Sequence, residues 1–213
     1  MEREFWLQKW ADMEVGFHQQ DYNALMVKHF HALGLLPGAR VFVPLCGASV
    51  DMLWLVSQGF KVVGVELCEQ AVLDFFQEHG LKTDHQELPE LTRYYSGDIE
   101  IYVGDLFSLT SGVLGHVDAV YDRAAIVALP ETMRLRYANH LLSMCSQAPQ
   151  LLISFDYDQS CMSGPPFSVP FSMLSDYYHR DYSLDLLESV EVVGGLKGKC
   201  SAAEQVYKLS PLS

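Results

Sequence analysis

The sequence predicts an α/β domain whose mostly parallel sheet is covered on both faces and ends in an antiparallel hairpin. Three observations carry this. Short apolar runs alternate with helix-like segments between residues 40 and 155, and strands joined through helices run parallel. The last two strand-like runs are separated by only a Gly/Lys turn region, too short for a parallel crossover. The chain's 213 residues, 49% hydrophobic and 19% charged, suit the core of one domain. That domain is read as residues 1–213, with 1–37 as an N-terminal helical cap.

Trp6, Trp10, Met13 and Phe17 recur at i, i+4, i+7 and i+11, so a first helix carries one apolar stripe. A second helix spans about 22–33 and stops at Gly34, with Pro37-Gly38 beyond it. Arg40-Val41-Phe42-Val43-Pro44-Leu45 is a buried strand leading into Cys46-Gly47-Ala48-Ser49. A helix over about 50–58 ends at Gly59. Lys61-Val62-Val63-Gly64-Val65-Glu66 is the second strand, apolar until its acidic end. The next helix, 69–79, closes at Gly80. Residues 81–97 are polar and read as a loop with at most short structure. A third strand, Ile99-Glu100-Ile101-Tyr102-Val103, ends at Gly104-Asp105, and a fourth, 117–121, ends at Asp122-Arg123. Pro130-Glu131 opens a long helix to about 146, followed by a fifth strand over 151–155. Runs at 184–193 and 204–209 form the hairpin.

Fourteen basic against 27 acidic residues leave a formal net charge of −13. Such a surface repels phosphate backbones and anionic lipid, so nucleic acid and membrane are not expected partners. No apolar run approaches the roughly 18–20 residues needed to cross a bilayer. Met1-Glu2-Arg3-Glu4-Phe5-Trp6 has none of the pattern of a signal peptide. Five dispersed cysteines without a Cys-x-x-Cys fit reduced thiols in a cytoplasmic protein. No metal is expected, because the eight His are scattered, and His29 and His31 would diverge by about 200° on a helix.

Candidate site residues gather at strand ends, where open α/β sheets bind ligands. Gly47 follows the first strand and lacks a Cβ, so it admits a ligand close to the backbone or simply makes a tight turn. Glu66 closes the second strand 19 residues later. That is near the spacing of about 20 at which an acid holds a ribose diol. Asp105 and Leu106 stand where an adenine-contacting loop falls, although Asp105 serves equally as a helix cap. Arg123 ends the fourth strand and can clamp an anion bidentately or pair with Asp122. The Trp6/Trp10 stripe packs as core or lies as an aromatic lid that attracts a sulfonium and excludes water. Gly164-Pro165-Pro166-Phe167 is a rigid loop, read as a substrate wall or a plain connector.

Together these motifs resemble the thiopurine S-methyltransferases, class I S-adenosylmethionine-dependent enzymes, in their bacterial form. The resemblance covers nearly the whole chain. It rests on Phe5-Trp6-x-x-x-Trp10 with Phe17-His18, Val43-Pro44-Leu45-Cys46-Gly47, Val62-Val63-Gly64-Val65-Glu66, Tyr121-Asp122-Arg123-Ala124-Ala125 and Gly164-Pro165-Pro166-Phe167. It implies a three-layer Rossmann-like fold with a seven-stranded sheet and a reversed last strand. It implies cofactor contacts at Trp10, Leu45, Glu66, Leu106 and Arg123, beside the Gly47 turn read above, and an aromatic boundary with the acceptor at Phe17, which joins Pro166 and Phe167 of the rigid loop on the expected substrate side. Arg123 is also expected to orient the acceptor.

The implied reaction moves a methyl group from S-adenosylmethionine to an aromatic or heterocyclic thiol, a small-molecule partner; a monomer is expected because no large spare apolar stripe is apparent in the sequence. The sulfonium is already a good leaving group and thiolate is the nucleophile, so no triad or metal is required. The family's arginine before the last strand is missing from Gly194-Gly195-Leu196-Lys197-Gly198-Lys199-Cys200, where Lys197 or Lys199 would supply a point charge instead of a fork. Halide, selenium or tellurium acceptors and a non-catalytic S-adenosylmethionine-binding module are the alternatives. A nicotinamide-dependent oxidoreductase is disfavoured by the missing second and third glycines.

Overall fold

Nine strands form one sheet in the computed structural model, which describes residues 3–11 and 21–212. They are β1 (Arg40–Pro44), β2 (Lys61–Glu66), β3 (Asp84–Glu87), β4 (Thr92–Ser96), β5 (Ile99–Val103), β6 (Ala119–Arg123), β7 (Gln150–Tyr157), β8 (Tyr182–Glu191) and β9 (Ala202–Pro211). Their order is β3-β4-β5-β2-β1-β6-β7-β9-β8. The middle five pair in parallel. At the carboxyl end β9 runs antiparallel to both β7 and β8, as the short connection requires.

Helices cover both faces: α1 (Arg3–Ala11), α2 (Ala24–His29), α3 (Asp51–Ser57), α4 (Glu69–Glu78), α5 (Ser111–Leu114), α6 (Glu131–Met144) and α7 (Phe171–Tyr178). Alternation along the strands sorts side chains between the two layers. Val41, Val43, Val62, Tyr121 and Leu151 join the core under α2, α3 and α4, with Phe30, Met52 and Phe75. Phe42, Val63, Val120 and Leu152 join the core under α6 and α7, with Tyr137, Leu141 and Tyr178. Burial on both faces explains why β1 and β2 read as continuous apolar runs.

One expectation needs correcting. Residues 81–97 are not a loop: β3 and β4 make a hairpin that pairs antiparallel with β5 and extends the expected seven strands to nine. All four residues of β3 are exposed, and in β4 only Tyr94 is buried. An edge hairpin with so little to bury leaves no apolar alternation to read.

The chain builds β1, β2 and β5 outward in one direction, then returns to place β6 and β7 on the other side of β1. The crevice beyond the carboxyl ends of β1 and β6 is therefore the switch point of the sheet, where connections leave in opposite directions.

Candidate active site

A cavity of about 270 Å³ opens at this switch point. Its walls come from the ends of β1, β2, β5 and β6, from α6, and from Trp6 and Trp10 of α1. Of the expected cofactor residues, Trp10, Leu45, Gly47, Glu66, Leu106 and Arg123 all line it.

The turn after β1 is bent tightly. Leu45 (φ 47°) and Gly47 (φ 53°) both occupy the left-handed region, and Cys46 between them donates its N–H to the Val65 carbonyl at 3.0 Å. Leucine pays roughly 1–2 kcal/mol for that conformation. Ala124, just beyond β6, is the second such residue on the cavity wall (φ 62°). Gly64 of β2 makes room for the turn: a Cβ there would lie 2.6 Å from Cys46 Sγ. Burial pushes the Cys46 thiol well above its ordinary pKa, and the nearby Glu66 carboxylate adds to the effect, so this cysteine is packing rather than nucleophile.

Glu66 is 6% exposed. Its Oε2 accepts the Gly47 N–H at 2.9 Å and its Oε1 accepts the Cys68 N–H at 2.9 Å. Burial raises its pKa, offset by these backbone donors and by a hydrogen bond from Trp10. The carboxylate is thus immobilised by the turn and by Trp10, in a position where a ligand hydroxyl would share it with these donors. Trp10 also covers Gly47, where an added Cβ would meet its Cζ2 at 3.0 Å. Trp6 and Trp10, four residues apart on α1, both line the cavity, and Trp10 also packs against the core beneath α2, α3 and α4.

Asp105 combines the two roles read from the sequence. It lines the cavity, and its Oδ1 accepts the Phe107 N–H at 2.9 Å to cap the short turn Leu106–Ser108. Leu106 is 4% exposed. Beside it the Arg136 guanidinium lies 3.7 Å from the centre of the Phe107 ring, and both residues belong to the same wall.

Arg123 does not pair with Asp122. Adjacent strand residues point to opposite faces. Asp122 turns away, taking the Tyr137 hydroxyl at 2.7 Å and the Ile126 N–H at 3.2 Å, and burial lifts its pKa to about 6. Arg123 instead reaches Asp51 on α3, with Nη1 at 3.4 Å from Oδ2. Asp51 is 1% exposed and also accepts the Tyr121 hydroxyl at 2.9 Å and the Asn23 N–H at 2.8 Å. Glu204 of β9 faces the same group: burial raises its pKa, while the Arg123 charge and an Asn23 hydrogen bond hold it down. Asp51 and Tyr121 are wall residues that sequence reasoning missed. An acid in a first helical turn and a tyrosine inside a strand carry no signal of their own.

Pro166 and Phe167 do not line the cavity. The Pro166 carbonyl accepts the Tyr157 hydroxyl at 2.6 Å, and the Phe167 N–H donates to Val127 O at 2.7 Å. Phe167 thus buttresses the segment whose next residues, Ala128 and Leu129, do line it. Lys197 Nζ donates to the Pro165 carbonyl at 2.8 Å. Burial lowers its pKa, and the charges of Lys9 and Lys199 lower it further. Phe17 lies outside the described residues. Among the described residues no group of three or more His, Cys, Asp or Glu could hold a metal ion.

The family model for thiopurine S-methyltransferase matches residues 1–210. A thiopurine S-methyltransferase of Gluconobacter oxydans is 50% identical over 208 residues, covering 98% of this chain and 94% of that protein. One from Xanthobacter autotrophicus is 47% identical over 210 residues, covering 98% and 99%. Among solved structures, the 1,6-didemethyltoxoflavin-N1-methyltransferase of Burkholderia thailandensis, with S-adenosylhomocysteine bound, superposes with a TM-score of 0.66. The match has 14% identity and covers 98% of this chain and 87% of that one. A TehB-like SAM-dependent methyltransferase from Corynebacterium glutamicum gives 0.55 at 14% identity, covering 98% of each chain. These two share the fold. The family model and the near-half identity of full-length relatives go further, and place this chain in the thiopurine S-methyltransferase family.

Proposed function

We propose that this chain transfers the methyl group of S-adenosylmethionine to the sulfur of an aromatic or heterocyclic thiol, leaving S-adenosylhomocysteine. The observation that carries this reading is Glu66, a buried acid fixed by two backbone donors at the sheet's switch point, in a chain of this family. Such a carboxylate suits a ribose diol, which donates two hydrogen bonds. Leu106 and Phe107 offer the adenine an apolar seat, and Leu45 with Gly47 lets the cofactor lie against the backbone. Arg123, held from behind by Asp51, presents its remaining donors to the anionic groups at the junction of cofactor and acceptor.

S-adenosylmethionine supplies an activated methyl on a positively charged sulfur. The acceptor loses its thiol proton to solvent, its sulfur lone pair attacks the methyl carbon in line, and the breaking bond's electrons return to the donor sulfur. The protein's contribution is alignment and the exclusion of water. Trp6 and Trp10 serve the second task as part of an N-terminal cap, residues 1–37, of a single domain. Phe17 is assigned to the acceptor side by the family resemblance alone, and Phe167 supports that side through Val127.

The enzyme is read as a cytoplasmic monomer acting on small molecules. In support, no helix among the described residues is long and apolar enough to cross a membrane, and the charge is strongly acidic. The test supplies methyl-labelled S-adenosylmethionine with 6-mercaptopurine, thiophenol, iodide and selenite. Label in the S-methyl products, matched by S-adenosylhomocysteine, is expected. Transfer confined to iodide or selenite would move the enzyme to another acceptor class. Binding without transfer to any of them would make it a binding module.

A further inference from the structure

Two of the five cysteines meet at a place the methyl-transfer reading does not use. Cys161 ends the short turn Gln159–Cys161 after β7 and is exposed, whereas Cys46, Cys68, Cys145 and Cys200 are buried. Cys200 sits in the connection between β8 and β9, 3% exposed, bridged to Leu196 through the Leu196 N–H at 2.7 Å from its carbonyl. Met162, which follows Cys161, packs into the cluster formed by Tyr157, Leu196, Cys200 and Ala202. Tyr157 and Met162, on either side of Cys161 in the chain, both pack into the cluster that holds Cys200, which brings the two thiols into one neighbourhood. Both partners are held by their surroundings. Gln159 bonds Tyr157 Oη at 3.0 Å and the Met162 carbonyl at 2.6 Å, and Lys197 ties the β8–β9 connection to Pro165.

We propose that Cys161 and Cys200 are a reversible dithiol–disulfide site that reacts with low-molecular-weight disulfides and staples the Pro-rich loop to the β8–β9 connection. Cys161, open to solvent, attacks the small disulfide as thiolate. It becomes a mixed disulfide and releases one small thiol. The Cys200 thiolate then attacks the Cys161 sulfur and expels the second small thiol. Two protein thiols lose two electrons and two protons, and the small disulfide takes up both pairs as two thiols. Burial raises the pKa of Cys200. The closing step therefore accelerates with rising pH. The linkage constrains two segments that already touch, so little native geometry has to change.

The experiment treats the whole reduced protein with glutathione disulfide at pH 8 and follows it by intact mass, thiol titration and peptide mapping. The expected product is lighter by two hydrogens, has three titratable thiols in place of five, and yields one peptide pair joined through Cys161 and Cys200. Dithiothreitol restores the starting mass. Cys200→Ala should stop at a glutathione adduct on Cys161. Cys161→Ser, an exposed exchange that spares the fold, should abolish both adduct and linkage. Wild-type protein that stops at the Cys161 adduct, or that joins two chains through Cys161, would overturn the proposal.

Discussion

Glu66 is held by Gly47: the backbone N–H of the turn after β1 donates to the carboxylate that ends β2, at 2.9 Å across 19 residues of sequence. The bond locks the acid and the glycine turn into one unit, and Cys68 N–H closes it from the other oxygen. If this unit is the ribose seat, Glu66→Gln should weaken S-adenosylhomocysteine binding by at least about tenfold, roughly 1.4 kcal/mol. Stability should change little. The amide leaves one backbone N–H unpaired but removes a charge whose burial is unfavourable, as its raised pKa shows. Calorimetric titration alongside thermal melts checks the pair of outcomes.

Gly64 and Cys46 are coupled by space. Gly64→Ala drives a Cβ to 2.6 Å from Cys46 Sγ. The strands on either side of Gly64 leave no slack, so the substitution should cost about 1–3 kcal/mol. Adding Cys46→Ala removes the sulfur, and the double variant should recover most of the loss. Urea denaturation of the four proteins of this cycle measures the coupling.

Asp51 positions Arg123 while also satisfying Tyr121 and Asn23. Asp51→Ala leaves a guanidinium that is 10% exposed without its carboxylate, and strands a buried hydroxyl and an N–H. We expect a stability loss of about 3–5 kcal/mol. Asp51→Asn keeps an acceptor and should retain the fold while weakening cofactor binding. Chemical denaturation and cofactor titration of both variants separate the two roles.

The cavity was only partly legible in the sequence. Glu66, Gly47 and Arg123 announce themselves because they interrupt apolar runs at strand ends, where a switch-point crevice must lie. Asp51 is invisible in that way: its partner Tyr121 is 70 residues distant, and only the pairing of β1 with β6 brings them together. The left-handed Leu45 and Ala124 carry ordinary side chains, so nothing in their identity marks the bend. The parallel strands were readable because each is buried on both sides. The β3–β4 hairpin was not, because it buries almost nothing. Pro166 and Phe167 read as a wall because rigid loops after strands often are, and no sequence pattern shows their hydrogen bonds to Tyr157 and Val127.

Asp122 predicts a pH effect. Burial lifts its pKa from 3.8 to about 6 in the folded chain. Because the folded value lies above the unfolded one, the stabilisation linked to this proton is complete below about pH 4 and is lost as pH rises through 6. The full swing is about 3 kcal/mol. Asp122→Asn removes the titration, so wild type minus variant should fall between pH 4 and 6 and level off above 7. Urea midpoints across that range give the curve, and a flat difference would contradict the assignment.

The most direct test is a crystal structure of the protein with S-adenosylhomocysteine. The account predicts the ribose hydroxyls within hydrogen-bonding distance of the Glu66 carboxylate, with the adenine beside Leu106 and the amino-acid end toward Arg123. A nucleoside bound away from the β1–β6 crevice, or a Glu66 carboxylate making no contact with the sugar, would contradict it.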